Sequence, residues 1–104
     1  MAVNKKALNI ELLKFAGFTC TGGIWTYPDG VDVDNGVPFF PESLDEIFKW
    51  LVPGVNALGH TVRIFTYYDG IGTDAFVDSA MIDIVKRGET PALALCLAIK
   101  ESIK

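Results

Sequence analysis

A chain of 104 residues, half of them hydrophobic and including seven Phe, two Trp and three Tyr, can bury one packed core, which predicts a single domain over residues 1–104. The net charge of -4 at pH 7 excludes the basic surface that binding to a phosphate backbone requires, so no nucleic acid partner is expected. Polar residues divide every apolar run well before the roughly 18 residues of a membrane span, which predicts a cytoplasmic protein with no membrane partner.

The first predicted element is an amphipathic helix from about Asn4 to Phe15. One face follows the helical spacing of three and four residues and consists of Leu8, Glu11, Leu12 and Phe15. Gly17 is expected to end the helix, because glycine adopts the left-handed conformation that closes many helices at no steric cost.

Residues 21–34 are predicted to form two short strands joined by a turn at Pro28–Gly30. The strand-favouring residues of this stretch are Ile24, Trp25, Tyr27, Val31 and Val33. A second turn is expected at Asp34–Gly36, because Asn and Gly accept the positive φ of tight reversals. The chain then runs extended through Pro38 to Pro41.

Ser43 and Glu46 have the spacing of a capping box, which predicts a helix that begins at Leu44. An apolar stripe at helical spacing follows and consists of Leu44, Ile47, Phe48, Leu51, Val55 and Leu58. Pro53 falls opposite this stripe, where a bend can absorb its missing N–H. We therefore predict one kinked helix over residues 44–58, ended by Gly59, with two shorter helices divided at Val52 as the alternative.

Residues 61–66 alternate in polarity, with Val62 and Ile64 on one face, which predicts a half-buried strand that Tyr67 and Tyr68 extend. Residues 69–74 are predicted as a loop and residues 75–79 as a partner strand. For residues 81–85 there are two predictions, a continuation of that strand or a helical turn. Extended structure is the favoured one.

Thr90 and Pro91 have the residue types of a helix cap and first helical position, and the following residues 92–103 are apolar nearly all round until Lys100. This helix is expected to be buried on the sheet. The predicted order α-β-β-α-β-β-α belongs to the α+β class, with a short antiparallel sheet packed by helices in an α/β/α-type sandwich. Cys20 and Cys96 lie far apart in the sequence and are expected to be reduced.

Several of these features are similar to those of the phage ABA sandwich domain, a family of small proteins from phages and prophages. The similar segments are Phe15–Phe18, the surroundings of Trp25, the stretch Val37–Asp45, the helix that ends at Gly59, the strand Thr61–Phe65 and the helix start Thr90–Ala92. The pair Pro53–Gly54 departs from the family's uninterrupted central helix. The resemblance implies a sheet between helices, a phage accessory origin and a bacterial host, and it offers no catalytic residues.

The candidate sites for ion or acid–base chemistry are weak. His60 is the only histidine, and its place after a helix-ending glycine is explained by the helix dipole without any ligand. Asp29, Asp32, Asp34 and Glu42 form the densest acidic cluster, yet their spacing does not fit an EF-hand. No catalytic residue, metal site or cofactor is predicted. The alternative hypothesis is a small-molecule or divalent-metal binder, or a minor hydrolase, that uses the loop Asp29–Asp34 with His60.

The aromatic residues exceed what the predicted core faces require. Those outside the core pattern are Trp25, Tyr27, Phe39, Phe40, Trp50, Tyr67 and Tyr68. Exposed aromatic patches mark partner or oligomer surfaces, and packing under loops is the competing explanation. The leading hypothesis is a non-enzymatic domain that acts through protein contacts, with a protein partner or a second copy of the chain.

Overall fold

The computed structural model describes residues 4–33, 36–66, 72–79 and 82–103. In chain order, its elements are helix α1 (Lys5–Ala16), strands β1 (Thr19–Thr21) and β2 (Ile24–Thr26), a 3-10 turn (Phe40–Glu42), helix α2 (residues 44–57), strands β3 (Thr61–Thr66), β4 (Thr73–Asp78) and β5 (Asp83–Gly88), and helix α3 (Pro91–Ser102).

Helix α1 begins and ends where the sequence predicts. The side chain of Asn4 accepts a hydrogen bond from the backbone N–H of Ala7 at 3.0 Å, which satisfies one free donor of the first turn. Gly17 closes the helix with a φ of 101°. Leu8 and Leu12 are buried as predicted.

The first hairpin lies earlier in the chain than predicted. Strands β1 and β2 pair antiparallel around Gly22 and Gly23, whose φ values of 60° and 83° match the twist of a tight hairpin turn. Pro28–Gly30 does reverse the chain, since Gly30 donates its N–H to the oxygen of Tyr27 at 2.9 Å. It is followed by a single bridge between Thr26 and Asp32 and not by a second full strand.

Helix α2 is one continuous helical element, which confirms the prediction of a single helix through Pro53. It consists of α-helical Leu44–Glu46, a π-turn at Ile47–Leu51 and α-helical Val52–Ala57. The π-turn adds a residue to the turn that precedes Pro53 and so rotates the apolar stripe. Val52 is consequently buried, whereas Phe48 and Leu58, both predicted on the buried stripe, are 46% and 54% exposed.

Strands β3, β4 and β5 form an antiparallel sheet in that order, with Val62, Val77 and Ile84 in register across it. The predicted strand over residues 61–66 is confirmed. The extended prediction for residues 81–85 is confirmed for residues 83–85, but these residues do not lengthen β4; they begin a separate strand that pairs antiparallel with it and adds one strand to the predicted order. Residues 73 and 74 belong to β4 and not to a loop, because both pair with β5. The predictions for residues 67–71 and for Met81 lie outside the described residues.

Helix α3 is the middle of the core. Its buried side chains are Ala92, Leu93, Ala94, Leu95, Cys96, Ala98 and Ile99. One side packs on β4 and β5, and α1 and the 3-10 turn pack on the other. The α+β class is confirmed, while the described helices cover one face of the three-stranded sheet, where the resemblance implies helices on both. No helix in the described ranges is long and apolar enough to cross a membrane.

Candidate functional site

Three aromatic rings pack together where the first hairpin meets helix α2. The centroid of Phe18 lies 4.9 Å from that of Trp50 and 5.6 Å from that of Tyr27. The rings of Tyr27 and Trp50 are nearly parallel, with centroids 5.9 Å apart and an interplanar angle of 18°. Phe18 is buried beneath them, and both outer rings are partly exposed. The cluster therefore presents two stacked aromatic rings to solvent on a buried base.

A cleft of about 610 Å³ opens beside this ring pair. Its lining residues are Tyr27, Pro28, Asp29, Gly36, Val37, Pro38, Glu46, Lys49 and Trp50. The lining residues from α2 are Glu46, Lys49 and Trp50. Lys49 and Trp50 follow Glu46 by three and four residues, so all three share one side of the helix. Lys49 and Trp50 belong to the π-turn, so the residue it adds sets how they face the cleft. The volume lies within the ~300–1,000 Å³ of ordinary ligand sites.

Negatively charged side chains outnumber positively charged ones in the lining of the cleft. The Nζ atom of Lys49 lies 5.3 Å from the centroid of the Trp50 ring, which is a cation–π contact. Asp29 accepts the backbone N–H of Val31 at 3.0 Å. The carboxylate of Glu46 makes no hydrogen bond or ion pair with any described residue. The lining thus has two carboxylates and one ammonium group, which favours a cationic ligand.

Asn9 of α1 positions one wall of the cleft. Its Nδ2 donates to the backbone oxygen of Pro38 at 2.9 Å, and its Oδ1 accepts the backbone N–H of Phe40 at 2.8 Å. Only 5% of Asn9 is exposed; its hydrogen bond to Phe40 is buried, and the one to Pro38 is partly buried. No sequence pattern identifies this residue, because its two partners lie 29 and 31 residues away in the chain.

A second exposed feature is the uncovered face of the three-stranded sheet. Phe65, Phe76 and Val85 lie on this face of neighbouring strands, and we name them the apolar strip. The rings of Phe65 and Phe76 meet edge to face with centroids 5.5 Å apart. Phe65 and Val85 are 53% and 51% exposed. The polarity alternation of β3 places Phe65 on the outer face, whereas the positions of Phe76 and Val85 beside it follow from the register of β4 and β5.

Two ion pairs flank the apolar strip. Arg63 Nη2 lies 2.6 Å from Asp78 Oδ2, and Arg87 Nε lies 2.8 Å from Asp74 Oδ1. Thr61 Oγ1 also donates to Asp78 Oδ1 at 2.7 Å. The hydrogen bonds from Thr61 and then Arg63 hold the pKa of Asp78 below its ordinary value, because both favour the ionised carboxylate.

The structure brings together only part of the predicted aromatic surface. Tyr27 and Trp50 stack in the cleft wall, while Trp25 is half-buried against the core. Phe39 is 37% exposed and does not line the cleft. Phe40 is fully buried, so the prediction that places it on an exposed surface is wrong; its N–H is fixed by Asn9 and its ring enters the core. Tyr67 and Tyr68 lie outside the described residues.

His60 is not among the described residues that line the cleft beside Asp29. Asp29 lines the cleft, His60 does not, and Asp34 lies outside the described residues. The Nδ1 atom of His60 is buried and has no hydrogen-bond partner among the described residues. Within the described ranges, no group of three His, Cys, Asp or Glu side chains could hold a metal ion. The pairing of the loop with His60 is therefore unsupported by any described contact.

No family model and no curated protein matches the chain. Among solved structures, the chain is similar to a phage protein from Bacillus cereus ATCC 14579, with a TM-score of 0.74 and 14% sequence identity. The likeness covers 99% of this chain and 90% of that one. At such low identity it shows the fold alone. The chain therefore has the fold of a small phage protein, and its membership of the ABA sandwich family stays a prediction.

Proposed function

We propose that the protein is a non-enzymatic, phage-type domain of a bacterial host that acts through protein contacts, and that the apolar strip is the contact surface. The supporting observation is that Phe65 and Val85 are each about half exposed beside Phe76, on the sheet face that no described helix covers. Exposed aromatic and aliphatic side chains grouped in this way are characteristic of interfaces.

A second copy of the chain is the partner that the charges around the strip favour. Arg63 and Arg87 lie on the same face as Asp74, Asp78 and Asp83. In a face-to-face dimer with a two-fold axis, each copy presents both positive and negative side chains to the other. Such a dimer can therefore form without placing like charges opposite each other. Three strands of six residues cover roughly 14 by 20 Å. This is well below the ~800 Å² per partner of a stable complex, so the association is weak.

Light scattering and sedimentation velocity across a dilution series from micromolar to millimolar protein test this proposal. The average mass of the wild type should rise with concentration. The double variant Phe65→Ser/Val85→Ser should stay monomeric over the whole series. Phe48→Ser is the matched control, because Phe48 is also exposed, at 46%, but lies on α2 outside the strip. A monomeric wild type at every concentration, or equal association of the double variant, would overturn the proposal.

A second candidate function is the binding of a small molecule or divalent cation at the acidic loop. It is favoured by one observation, the position of Asp29 in the wall of a cleft of about 610 Å³. A ligand that binds only the folded state must raise the thermal unfolding temperature. An increase with Ca²⁺ or Mg²⁺ that Asp29→Asn removes would support this function. Unchanged melting temperatures across metal ions and metabolites would eliminate it.

A further inference from the structure

The indole ring of Trp50 already holds a cation. Lys49 Nζ lies 5.3 Å from its centroid, although Lys49 itself is exposed. A cation–π contact of an exposed lysine is weak, because water solvates the ammonium group well. A guanidinium group is less strongly hydrated and stacks flat on aromatic rings, so it competes favourably for the same position. The position of Lys49 Nζ over the Trp50 ring is therefore one that a guanidinium group could occupy more favourably.

Two carboxylates line the same cleft as Lys49 and Trp50 and could pair with a cation there. Asp29, two residues after Tyr27, and Glu46, four residues before Trp50, both line the cleft. Glu46 has no counter-ion among the described residues. A guanidinium group donates two parallel hydrogen bonds to a carboxylate, which a single ammonium group cannot do. Charge complementarity therefore favours an arginine side chain over a lysine in this cleft.

The openness of the cleft to solvent is compatible with the binding of an extended polypeptide. Pro28, Asp29, Gly36 and Lys49 are all exposed, so the cleft is open to solvent and a chain can leave it. Tyr27 and Trp50 stack on each other and are each partly exposed, and exposed aromatic rings are what proline rings dock on in grooves that bind polyproline II segments. Such segments are already extended in solution and lose little entropy on binding.

We propose that the cleft between the Pro28–Asp29 turn and helix α2 binds an extended segment of another protein in which an arginine adjoins prolines. The proline rings pack on Tyr27 and Trp50. The guanidinium group displaces Lys49 and pairs with Glu46 and Asp29. This site shares no residue with the apolar strip, so the proposal can be tested independently of self-association.

A short capped peptide of Pro-Pro-Arg repeats is the probe, titrated into the full chain at low salt by calorimetry and tryptophan fluorescence. We expect saturable binding, and binding at least about tenfold weaker for the matching Pro-Pro-Glu peptide, since one charge-assisted pair is lost and a repulsion is added. Glu46→Gln should weaken binding about three- to tenfold, and Lys49→Gln should strengthen it, because the competing cation is removed.

Asp45→Asn is the matched control, because Asp45 is an exposed neighbour of Glu46 that does not line the cleft, and it should bind as the wild type does. Trp50→Leu should abolish binding; because Trp50 packs on Phe18, the surface variants Glu46→Gln and Lys49→Gln keep the test valid if that variant misfolds. Phe65→Ser/Val85→Ser should bind unchanged. No saturation by the arginine peptide, equal affinity for the glutamate peptide, or equal competition by free arginine amide would overturn the proposal.

Discussion

The side chain of Asn9 joins helix α1 to the backbone of Phe40, 31 residues away, through a buried hydrogen bond of 2.8 Å. The same amide group holds the oxygen of Pro38 at 2.9 Å. Because one planar group satisfies a donor and an acceptor two residues apart, it fixes both the position and the direction of that segment. The ring of Phe40 is thereby directed into the core, and Pro38 is held in the wall of the cleft.

Replacing Asn9 with Ala should lower the free energy of unfolding by about 1–3 kcal/mol, since the buried N–H of Phe40 and the partly buried C=O of Pro38 each lose their partner. Urea denaturation followed by circular dichroism measures the change. Asn9→Asp keeps an acceptor for Phe40 but loses the donor to Pro38, and should be destabilised as well. Asn56→Ala, at an exposed position of α2, should change stability by no more than about 0.5 kcal/mol. Equal stability of the Asn9 and Asn56 variants would show that the two hydrogen bonds of Asn9 do not stabilise the fold.

Gly88 is required by the close approach of β5 to helix α3. A Cβ atom at this position would lie 2.6 Å from the backbone nitrogen and 2.9 Å from the Cα of Ala94. Gly88→Ala should therefore cost about 1–3 kcal/mol through overpacking, measured as a lower urea midpoint. The second change Ala94→Gly should not restore stability, because the nearest atoms belong to the backbone. Full rescue by that change would show that the contact is made by the side chain alone.

The two cysteines should differ sharply in reactivity. Cys20 is exposed, whereas Cys96 is buried in α3, and burial raises the pKa of its thiol to about 12. The thiolate is the reactive form, so a thiol reagent at mildly alkaline pH should modify one cysteine of the native protein and both after unfolding. Mass spectrometry counts the added groups. Cys20→Ser should remove the native reaction, and rapid native modification of Cys96 would contradict its burial.

The carboxyl group of Asp78 should titrate below the ordinary aspartate pKa, because Thr61 and then Arg63 stabilise its charged form. Since the folded-state pKa is the lower one, its contribution to stability is present above the unfolded-state pKa and is lost as pH falls through the folded-state value. Carbon NMR of the carboxyl group gives the pKa directly. Thr61→Val and Arg63→Ala should each raise the measured pKa, and an unchanged value in both variants would show that these contacts are absent in solution.

The sequence predicts the elements whose determinants are local. Asn4, Gly17 and Thr90 act at helix ends through groups a few residues away, and each lies where its type predicts. The phase of helix α2 was not predictable in the same way, because a π-turn follows the same apolar residues as an α-turn and changes which of them face inward. Phe48 and Val52 accordingly exchange the burial that regular periodicity assigns to them.

The site depends on contacts that no local pattern contains. Tyr27 and Trp50 were both predicted at an exposed surface, but their stacking requires the hairpin to fold against α2. The burial of Phe40 depends on Asn9, and the apolar strip depends on the register of three strands. In each case the residue type indicates an aromatic or apolar contact, but which residues meet depends on how distant segments of the chain pack together.

Helix α3 has consequences for how the protein unfolds, because it supplies apolar surface to the sheet on one side and to α1 on the other. Removing it would expose both neighbouring layers to water at once, and neither keeps a complete core of its own. A partly folded state with only the sheet or only the N-terminal layer intact is therefore strongly disfavoured. Unfolding should be a single cooperative transition in which the fluorescence of Trp50 and the circular dichroism of the sheet and helices change together.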